Sequence, residues 1–495
     1  MSGFFNRDLT PREVAYFYVL AIALFIFPII QVDALYYDDH QRALLSNQES
    51  WRNEGRVLIE VIYHLLSFTS TTPNVFPLGY VFSLPLAALA LRALTAHFGL
   101  RPRFVDCLVL LPLFYSPFSL GIFVYQYDGP VVMAGIAAVA YSVVHGSGGR
   151  WSGLLFAAVL VVVGIAINQL MLNILLGLYC IELAESISRG ASLGDVLKKL
   201  ARRAVQVAVA LMIYGVTVFP LMSDERTPVL PFDGHWWGEV IARFGLVFDK
   251  LALLVTSGNQ WMFGVLLVCA AGGYAMGGAT VMARRILARH KVALLGIYIV
   301  VAPLLVITIP GFTVMLLYFD PAARVLLGVA SALTALMFFS HRFLRQVDER
   351  ALWLLAVPVL FMLSFSFMFG RVLLTQKALE DSVLYSLAYD LNSNAELMRL
   401  KDIYLVQPEH ARQWLPASAG VLGEVPALNY VLNRNRLFMS EQFPRAGFTN
   451  VRDMQSTVFN QLPGKQLMKS NRFYEIYQAG DDGYIQMKNV SITAN

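Results

Sequence analysis

Long apolar stretches alternate with short polar loops over the first three quarters of the chain. Each stretch holds about twenty residues, the length with which an α-helix crosses a hydrocarbon core of roughly 30 Å. The pattern predicts a polytopic α-helical membrane protein with about eleven transmembrane helices. The predicted spans are 13–32, 76–95, 104–122, 130–145, 152–167, 170–185, 204–222, 260–283, 292–317, 324–341 and 351–370.

Basic residues between the spans predict the orientation of the chain. Arg7 and Arg12 precede the first span and no small-residue cleavage site follows it, so we expect a retained span with a cytoplasmic N-terminus. The loops on that same side carry Arg101, Arg103, Arg150, Lys198, Lys199, Arg202, Arg203, Arg284, Arg285, Arg342 and Arg345. The outer loops carry most of the loop acids: Asp33, Asp38, Asp39, Glu49, Glu54, Glu60, Asp128, Asp233 and Asp320. We expect function on the outer side.

An odd number of spans divides the chain into a membrane domain, residues 1–370, and an outer C-terminal domain, residues 371–495. The second segment is polar, free of cysteine and long enough for a core of its own. Apolar positions at helical spacing run through 377–392, whereas 472–478 and 484–488 flank a turn-like Gly480-Asp481-Asp482-Gly483. This predicts a small extracytoplasmic α/β domain.

Composition excludes a soluble protein. Hydrophobic residues make up 57% and charged residues only 14% of the chain, with a mean hydropathy of +0.58, whereas a soluble domain has roughly a quarter of its residues charged. The net charge of +5 reflects the basic loops, so it predicts no nucleic-acid partner. The three cysteines lie in apolar stretches, which disfavours disulfides and thiolate metal sites.

Two adjacent acids, Asp38 and Asp39, lie in the first outer loop, residues 33–75, a few positions after the first span. The phosphate of a membrane-bound lipid donor lies at the same depth. Like-charge repulsion raises the pKa of neighbouring carboxyl groups, and a partly desolvated aspartate accepts a proton from a sugar hydroxyl. We expect one acid to act as the base and the other to position it. The alternative is an interfacial ion pair between Asp38 and Arg42, four positions apart on a helix.

Residues 56–68 predict an amphipathic helix lying along the membrane surface. Its apolar stripe consists of Val57, Leu58, Val61, Ile62, Leu65 and Leu66, and its polar stripe of Arg56, Glu60, Tyr63, His64 and Ser67. The guanidinium fork of Arg56 matches the oxygens of a departing phosphate, so Arg56 is a candidate donor contact. Anchoring to lipid headgroups is the alternative.

Three other outer segments offer weaker signals. Asp128, in Tyr127-Asp128-Gly129-Pro130, either caps the following helix or contacts an acceptor. Asn168-Gln169 predicts a tight reversal whose side chains satisfy backbone groups or bind a sugar hydroxyl. Trp236-Trp237 in the loop 223–259 is more typical of an interfacial aromatic belt than of a sugar platform.

Further candidates complete the predicted site. Arg324 and Arg371 are basic residues on the acid-rich side, suited to a donor phosphate or to headgroup contact by snorkelling. Trp51, Tyr127 and His40 join Asp128 as candidates on the acceptor and sugar side. The histidines form no metal motif and no nucleotide-binding loop has a credible context, so we predict no metal and no soluble cofactor.

A transporter is the competing class. The chain shows no internal repeat, and its predicted midplane is nearly free of ionisable side chains, both of which disfavour ion-coupled transport. A lipid-linked glycan flippase or other transporter, with the first-loop acids binding cargo, remains the alternative to an enzyme. A non-catalytic membrane assembly partner is a second alternative.

The first outer loop resembles a known family. Asp38-Asp39 with Arg42 a few positions on, followed by Trp51 and Gly55-Arg56, is similar to the first-loop signature of the bacterial type II, serotype-converting O-antigen glucosyltransferases. The similarity extends in order through the turn with Asp128, the Asn168-Gln169 reversal and an outer C-terminal domain. His40-Gln41 departs from the apolar and small residues expected after the acids.

The resemblance implies a GT-C-like glycosyltransferase in the bacterial inner membrane with a periplasmic active site. It implies undecaprenyl phosphate glucose, a polyprenyl-phosphate sugar, as donor and an O-antigen, lipopolysaccharide or related glycan as acceptor. It makes Asp38 or Asp39 the catalytic base, makes Arg42 or Arg56 a phosphate contact and places Asp128 in the acceptor cleft. The choice between the two aspartates stays open at this point.

Overall fold

A computed structural model describes residues 7–45, 49–148, 150–222, 228–408, 418–433 and 439–489. Helices dominate up to residue 393. They are α1 (Pro11–Val32), α2 (Asp38–Leu45), α3 (Glu49–Asn53), α4 (Val57–Ser67), α5 (Leu78–His97), α6 (Phe104–Cys107), α7 (Pro112–Tyr115), α8 (Leu120–Phe123), α9 (Asp128–Gly146), α10 (Trp151–Ile167), α11 (Met171–Ser188), α12 (Leu193–Thr217), α13 (Trp236–Ala252), α14 (Gln260–Ala283), α15 (Ala288–Ile307), α16 (Gly328–Val347) and α17 (Ala356–Ser393).

Eight segments of the described chain are helical, long and apolar enough to cross a membrane. They are Pro11–Val32, Leu78–His97, Asp128–Gly146, Met171–Ser188, Leu193–Leu221, Gln260–Ala283, Ala288–Ile307 and Glu349–Ser393. Each overlaps a predicted span, which confirms a polytopic, mostly helical membrane protein. The other three predicted spans take different forms, so the count of eleven stays a prediction.

The predicted span 104–122 is a broken chain of short helices. The α-helical pieces α6, α7 and α8 alternate with the 3₁₀ turns Leu108–Leu110 and Pro117–Ser119. Proline lacks an N–H donor and disfavours helix in the residue before it, and Ser116 before Pro117 is accordingly extended with ψ 126°. The other two spans are the 17-residue helix α10 and the 20-residue helix α16.

The helix α9 lies in the middle of the membrane domain, where it packs against α5, α10 and α11. Small residues permit this close packing at its first turn. A Cβ atom on Gly129 would lie 2.5 Å from the hydroxyl oxygen of Tyr80 and 2.6 Å from the carbonyl oxygen of Phe123. A larger residue would therefore push the start of α9 away from the loop that precedes it.

The amphipathic helix α4 turns its polar stripe towards the protein. Glu60 and Tyr63 are buried, whereas Val61 and Leu65 of the apolar stripe are exposed. Glu60 accepts a hydrogen bond from Arg52, and the Tyr63 hydroxyl donates to the carbonyl oxygens of Gln126 and Tyr127. Val61 and Leu65 thus remain available to lipid, whereas Val57, Leu58 and Ile62 pack against the protein core and the polar stripe holds neighbouring loops together.

The loop that contains the two tryptophans leads into a second amphipathic helix, α13. Trp236 is buried and stacks on Phe232 with ring centroids 4.7 Å apart, whereas Trp237 is exposed. The Asp233 carboxylate accepts a hydrogen bond from the backbone N–H of His235. The position of this helix and its exposed aromatic face are typical of an interfacial belt.

The C-terminal part forms a mixed α/β unit. Its first helix, α17, runs from the membrane domain to Ser393, so the boundary predicted at residue 371 falls within one continuous 38-residue helix. The five-stranded sheet has the order β2-β1-β5-β4-β3. Its strands are β1 (Ile403–Val406), β2 (Val451–Met454), β3 (Gln466–Ser470), β4 (Tyr474–Ala479) and β5 (Asp482–Met487).

Strands β4 and β5 form the antiparallel hairpin expected around residues 480–483, and β1 pairs in parallel with both β2 and β5. One face of the sheet packs its apolar side chains against the C-terminal half of α17, through Val383, Leu384, Leu387 and Leu391. The short helices α18 (Ala419–Glu424), α19 (Pro426–Leu432) and α20 (Ser456–Gln461) complete the unit. Of these, α19 packs into the core of the membrane domain.

Candidate active site

The two adjacent aspartates point in different directions because they begin a helix. Helix α1 ends at Val32, the following Asp33 reverses the chain with φ 47°, and α2 starts at Asp38 after Tyr37 with φ 45°. Successive side chains on an α-helix point about 100° apart. Consequently Asp39 lies in the protein interior, whereas the side chain of Asp38 is 58% exposed.

Asp39 is fully buried and binds backbone donors. Its Oδ2 accepts hydrogen bonds from the N–H groups of Gln126 at 2.8 Å and Tyr36 at 3.2 Å, and Oδ1 accepts one from Tyr127 at 3.5 Å. Burial raises the pKa of Asp39 to about 8, although the hydrogen bond from Gln126 and the charge of Arg42 act in the opposite direction. Asp39 therefore joins the first outer loop to the segment before α9.

Asp38 has a cation beside it and solvent in front of it. Its Oδ2 lies 3.8 Å from Nη2 of Arg42, one helical turn further on. The predicted ion pair is thus present, but it is long and leaves the carboxylate accessible. Of the two acids, only Asp38 presents its carboxylate to a molecule outside the protein.

Arg42 and Asp128 form the buried centre of the site. Nη1 of Arg42 donates to Oδ2 of Asp128 at 2.7 Å, and Nε1 of Trp51 donates to Oδ1 at 3.2 Å. The Arg42 guanidinium lies 4.4 Å from the centre of the Trp51 ring, a cation–π contact. Burial lowers the pKa of Arg42, but the carboxylates of Asp128, Asp38 and Asp39 outweigh it and raise the pKa above its usual value.

The interpretation of Asp128 as a helix cap is wrong. Helix α9 begins at Asp128 itself, and the residue before it, Tyr127, makes no capping hydrogen bond through its side chain. The carboxylate instead faces Arg42 and Trp51, which come from a loop 77 to 86 positions earlier. The Asp128 carboxylate therefore pairs with a cation from a distant segment and does not bind an N–H group of the described helix α9.

Arg56 lies at the edge of this centre. Its Nη1 is 3.1 Å from Glu54 and 3.8 Å from Oδ1 of Asp128, and its side chain is partly exposed. The preceding Gly55 has φ 75°, and a Cβ atom there would lie 2.5 Å from the Tyr214 hydroxyl. Only glycine fits this turn without strain.

The predicted reversal at Asn168-Gln169 supports the same loop. Asn168 accepts a hydrogen bond from the N–H group of Leu170, and Gln169 donates to the carbonyl oxygen of Glu54 at 2.7 Å and to Tyr214 at 3.1 Å. Both side chains satisfy backbone or protein groups here. The reversal therefore holds the loop with Arg56 in place.

Arg324 lies near Asp38 and Arg371 does not contact the cluster. Nη1 of Arg324 donates to the Tyr125 hydroxyl at 2.6 Å. Burial lowers the pKa of Arg324, but Tyr125, Asp38 and Asp320 together raise it above its usual value. Within the described part of the chain, the exposed Arg371 on α17 makes no ion pair or hydrogen bond through its guanidinium.

Three predicted sugar contacts are buried in this conformation. Trp51 and Tyr127 have no exposed surface, and Tyr127 donates a hydrogen bond to the carbonyl oxygen of Thr72. His40 is 2% exposed, and its Nε2 lies 2.9 Å from Nε2 of Gln442 in the C-terminal part. These buried side chains, together with Asp39 and Asp128, form the frame that supports Asp38. An incoming sugar would not contact them directly.

Three residues outside the predicted site, Gln126, Tyr36 and Tyr37, connect distant segments of the chain. Gln126 donates to Asp33 and accepts from Asn74, besides its backbone bond to Asp39. The hydroxyl groups of Tyr36 and Tyr37 donate to the carbonyl oxygens of residues 432 and 433. No spacing in the sequence marks such pairs, because up to 396 positions separate their members.

The described residues contain no group of three or more His, Cys, Asp or Glu side chains arranged to hold a metal ion. Charge at the site comes from guanidinium groups and carboxylates. Arg42 is neutralised by the buried Asp128, Arg56 is partly exposed and pairs with Glu54, and the partly exposed Arg324 lies near Asp38. This arrangement suits an anionic group that arrives next to a proton acceptor.

Fold and site together define a polytopic membrane protein with an accessible carboxylate, Asp38, near a partly exposed arginine, Arg324. A family model described as Glucosyl transferase GtrII matches residues 27–318, more than half of the chain. The chain therefore belongs to the GtrII glucosyl transferase family, which confirms the predicted family and supports a glucosyltransferase role. The comparisons with curated proteins and with solved structures gave no match.

The range matched by the family model contains most of the candidate site residues. It begins at the end of α1 and contains the aspartate pair, Arg42, Arg56 and Asp128. It ends before Arg324, Arg371 and the C-terminal sheet. The cluster around Asp38 is thus assembled mainly from the part of the chain that carries the family's pattern.

Proposed function

We propose that the protein transfers glucose from a polyprenyl phosphate to a hydroxyl group of an O-antigen or related glycan. In this proposal the active site faces the periplasm and lies at the Asp38 end of the membrane domain. The observation that carries the proposal is the accessible carboxylate of Asp38 between Arg42 and the partly buried Arg324. A family relationship to glucosyl transferases supports the same conclusion.

Asp38 is the proposed catalytic base. Its carboxylate accepts the proton of the acceptor hydroxyl while that oxygen attacks the anomeric carbon of the donor sugar. The bond from the anomeric carbon to the phosphate oxygen breaks, and its electron pair leaves with the polyprenyl phosphate. The products are the glycosylated acceptor with inverted anomeric configuration, the free polyprenyl phosphate and a protonated Asp38.

Arg324 and Arg56 are the proposed contacts of the donor phosphate. A departing phosphate gains negative charge, and guanidinium groups stabilise that charge by paired hydrogen bonds. Arg42 is less suited to this role because Asp128 already binds it at 2.7 Å in a buried position. We assign Arg42 to positioning Asp38, and the proposal gives Arg371 no part.

Asp39, Asp128 and the aromatic side chains around them form the frame that supports Asp38. The acceptor-side candidates Trp51, Tyr127 and His40 act through this frame rather than by direct contact with a sugar. Because His40 and Gln41 contact Gln442 and Glu441, the C-terminal unit borders the same opening. We therefore propose that the acceptor glycan approaches between the first outer loop and the C-terminal unit.

The test is a transfer assay on the purified protein in nanodiscs. Polyprenyl phosphate glucose and purified O-antigen are supplied, and mass spectrometry measures the addition of a hexose to the glycan. We expect addition with the lipid-linked donor and none when UDP-glucose replaces it. Addition from UDP-glucose alone would overturn the donor, and movement of lipid-linked sugar across the membrane without a new glycosidic bond would favour a flippase.

A further inference from the structure

A large cavity opens between three helices of the membrane domain, away from the cluster around Asp38. Helices α11, α12 and α15 enclose about 560 Å³. We call this cavity the lateral groove. Its apolar lining includes Leu176, Leu183, Leu200, Leu211, Leu304 and Ile307. A cavity with this lining suits a hydrocarbon chain.

Charged side chains lie at one end of the lateral groove. They are Glu182, Lys199 and Arg203. Arg203 binds Glu182 through Nε at 2.9 Å and Nη2 at 2.8 Å, and His97 binds the same carboxylate at 3.0 Å. Lys199 is 3.8 Å from Glu182, and its side chain is 31% exposed. Two cations thus face one carboxylate, and Lys199 is the group that remains accessible to an anion.

The charged end of the groove is remote from Asp38. Helix α11 begins beside the Asn168-Gln169 reversal, which contacts the first outer loop. Glu182 follows Gln169 by thirteen positions, which at 1.5 Å per residue corresponds to about 20 Å along the helix. An anionic headgroup at Lys199 therefore occupies a different site from a donor phosphate beside Asp38.

The groove has the length of a lipid chain. Lys199 and Leu211 both line it and are twelve positions apart on α12, or about 18 Å along the helix axis. Half of a bilayer hydrocarbon core measures about 15 Å. An acyl chain attached to a headgroup at Lys199 would therefore lie along the apolar wall over its full length.

A second groove has similar apolar walls but lacks the net positive charge of the lateral groove. About 450 Å³ lies beside α1 and the broken segment α6–α7, with apolar walls and with Arg7 and Glu13 at its end. Arg7 and Glu13 form an ion pair with each other, which cancels their charge. Apolar shape alone is thus shared by both grooves, whereas only the lateral groove adds a net positive charge.

We propose that the lateral groove binds one anionic phospholipid. Its phosphate lies at Lys199 and one acyl chain runs along α12 towards Leu211. In the predicted orientation this end of the membrane domain faces the cytoplasm, so the lipid comes from the inner leaflet. The bound lipid fills the space between α11, α12 and α15 and is not consumed by the transferase reaction.

Native mass spectrometry of the full-length protein in detergent tests this site, with phosphatidylglycerol compared with phosphatidylcholine. We expect tighter binding of phosphatidylglycerol, and about fivefold weaker binding in Lys199→Ala, the effect of one basic residue next to an anionic lipid. Lys198→Ala is the matched control, because Lys198 is the exposed neighbour outside the groove. Equal binding of both lipids, or equal effects of the two substitutions, would overturn the proposal.

A second pair of variants tests the apolar wall. Ala208 lines the groove, whereas Ala201 on the same helix is exposed and does not. Ala208→Phe should abolish the phosphatidylglycerol adduct, and Ala201→Phe should retain it. Size-exclusion profiles and Tm values identify variants that fail to fold. A folded Ala208→Phe variant that binds the lipid as the wild type does would also contradict the proposed site.

Discussion

Both ends of the membrane domain bury a carboxylate against an arginine and carry an exposed acid nearby, but the two exposed acids differ in how closely arginines pair with them. At the Asp38 end, Arg42 binds Asp128 at 2.7 Å. At the opposite end, which we call the Asp106 end, Arg103 binds Asp106 at 2.7 Å and His341 binds its other oxygen at 2.6 Å. The buried pairs are similar in geometry and in burial.

The difference lies in what surrounds the pairs. Each carboxylate oxygen of the fully buried Asp106 has a partner, and nearby Glu349 is an exposed acid that pairs with Arg101 and Arg103. At the other end Asp38 has one ion-pair contact, at 3.8 Å from Arg42, and lies near the partly exposed Arg324. Buried ion pairs therefore serve the architecture at both ends, whereas the weakly paired carboxylate of Asp38 near Arg324 is the reason for proposing the reactive site at this end.

The largest expected effect is that of Asp128→Asn, which should lower both stability and activity. It leaves the Arg42 guanidinium buried beside a neutral amide, and breaking a buried pair costs about 3–5 kcal/mol. Because Arg42 also positions the helix with Asp38, we expect hexose transfer per folded molecule to fall about a hundredfold. Thermal unfolding and the transfer assay measure the two effects.

The matched control for Asp128→Asn is Asp249→Asn, a change of the same size at an exposed position on α13. It should leave both Tm and transfer unchanged. If Asp128→Asn also retained both, the buried pair would have no part in holding the site.

Asp106→Asn should have the same effect on stability without the effect on catalysis. It removes the partner of the buried Arg103, at a cost of about 3–5 kcal/mol, while transfer per folded molecule stays within about twofold. Glu349→Gln, which removes the exposed partner of the same arginine, should cost less than about 1 kcal/mol. A large loss of transfer in folded Asp106→Asn would show that the two ends are coupled.

The dependence of stability on pH should reveal the raised pKa of the buried Asp39. The pKa of Asp39 in the folded protein is about 8, above its usual 3.8. Between about pH 4 and pH 8 the folded state therefore holds a proton that the unfolded chain has released, so stability falls as pH rises through this window and levels off above it. Asp39→Asn should remove this fall. Parallel Tm curves for wild type and variant would contradict the assignment.

The smallest expected effect is that of Gln442→Ala. It removes the 2.9 Å contact with His40, one of the links between the C-terminal unit and the first outer loop. A buried hydrogen bond contributes about 0.5–1.5 kcal/mol, so kcat should fall by about threefold to tenfold with KM for the donor unchanged. Gln478→Ala, on the hairpin away from this contact, is the control. Equal kcat values for the two variants would mean that His40 needs no support from Gln442.

Much of the membrane architecture could be predicted from the sequence, because apolar length is a local property. The eight helices that are long and apolar enough to span a membrane follow from it directly. The break at residues 104–123 was missed, since the segment is apolar throughout and only its prolines mark the interruption. The hydrogen-bond partners of the polar stripe of α4, such as Arg52 and the backbone before α9, could not be predicted, because they depend on how separate loops fold together.

The candidate site, too, could be predicted only as far as local sequence patterns reach. Adjacent aspartates, a nearby arginine and a short turn with Asp128 are visible in the sequence, and the structure brings Asp39, Arg42 and Asp128 together. The division of roles between Asp38 and Asp39 depends on where α2 begins and on what covers it. The sequence offers a helix cap or an acceptor contact for Asp128 and does not predict its partner, because Arg42 lies 86 positions away in the chain.

The most direct test of the account compares Asp38→Asn with Asp39→Asn in the same hexose-transfer assay. Both changes remove one carboxylate from neighbouring positions, and Tm values of the purified variants control for folding. We predict that Asp38→Asn loses at least a hundredfold in kcat at unchanged Tm, as expected for a general base, whereas Asp39→Asn stays within about tenfold of the wild type. A folded Asp38→Asn variant with normal transfer, or a reversal of the two effects, would contradict the assignment of the accessible acid as the base.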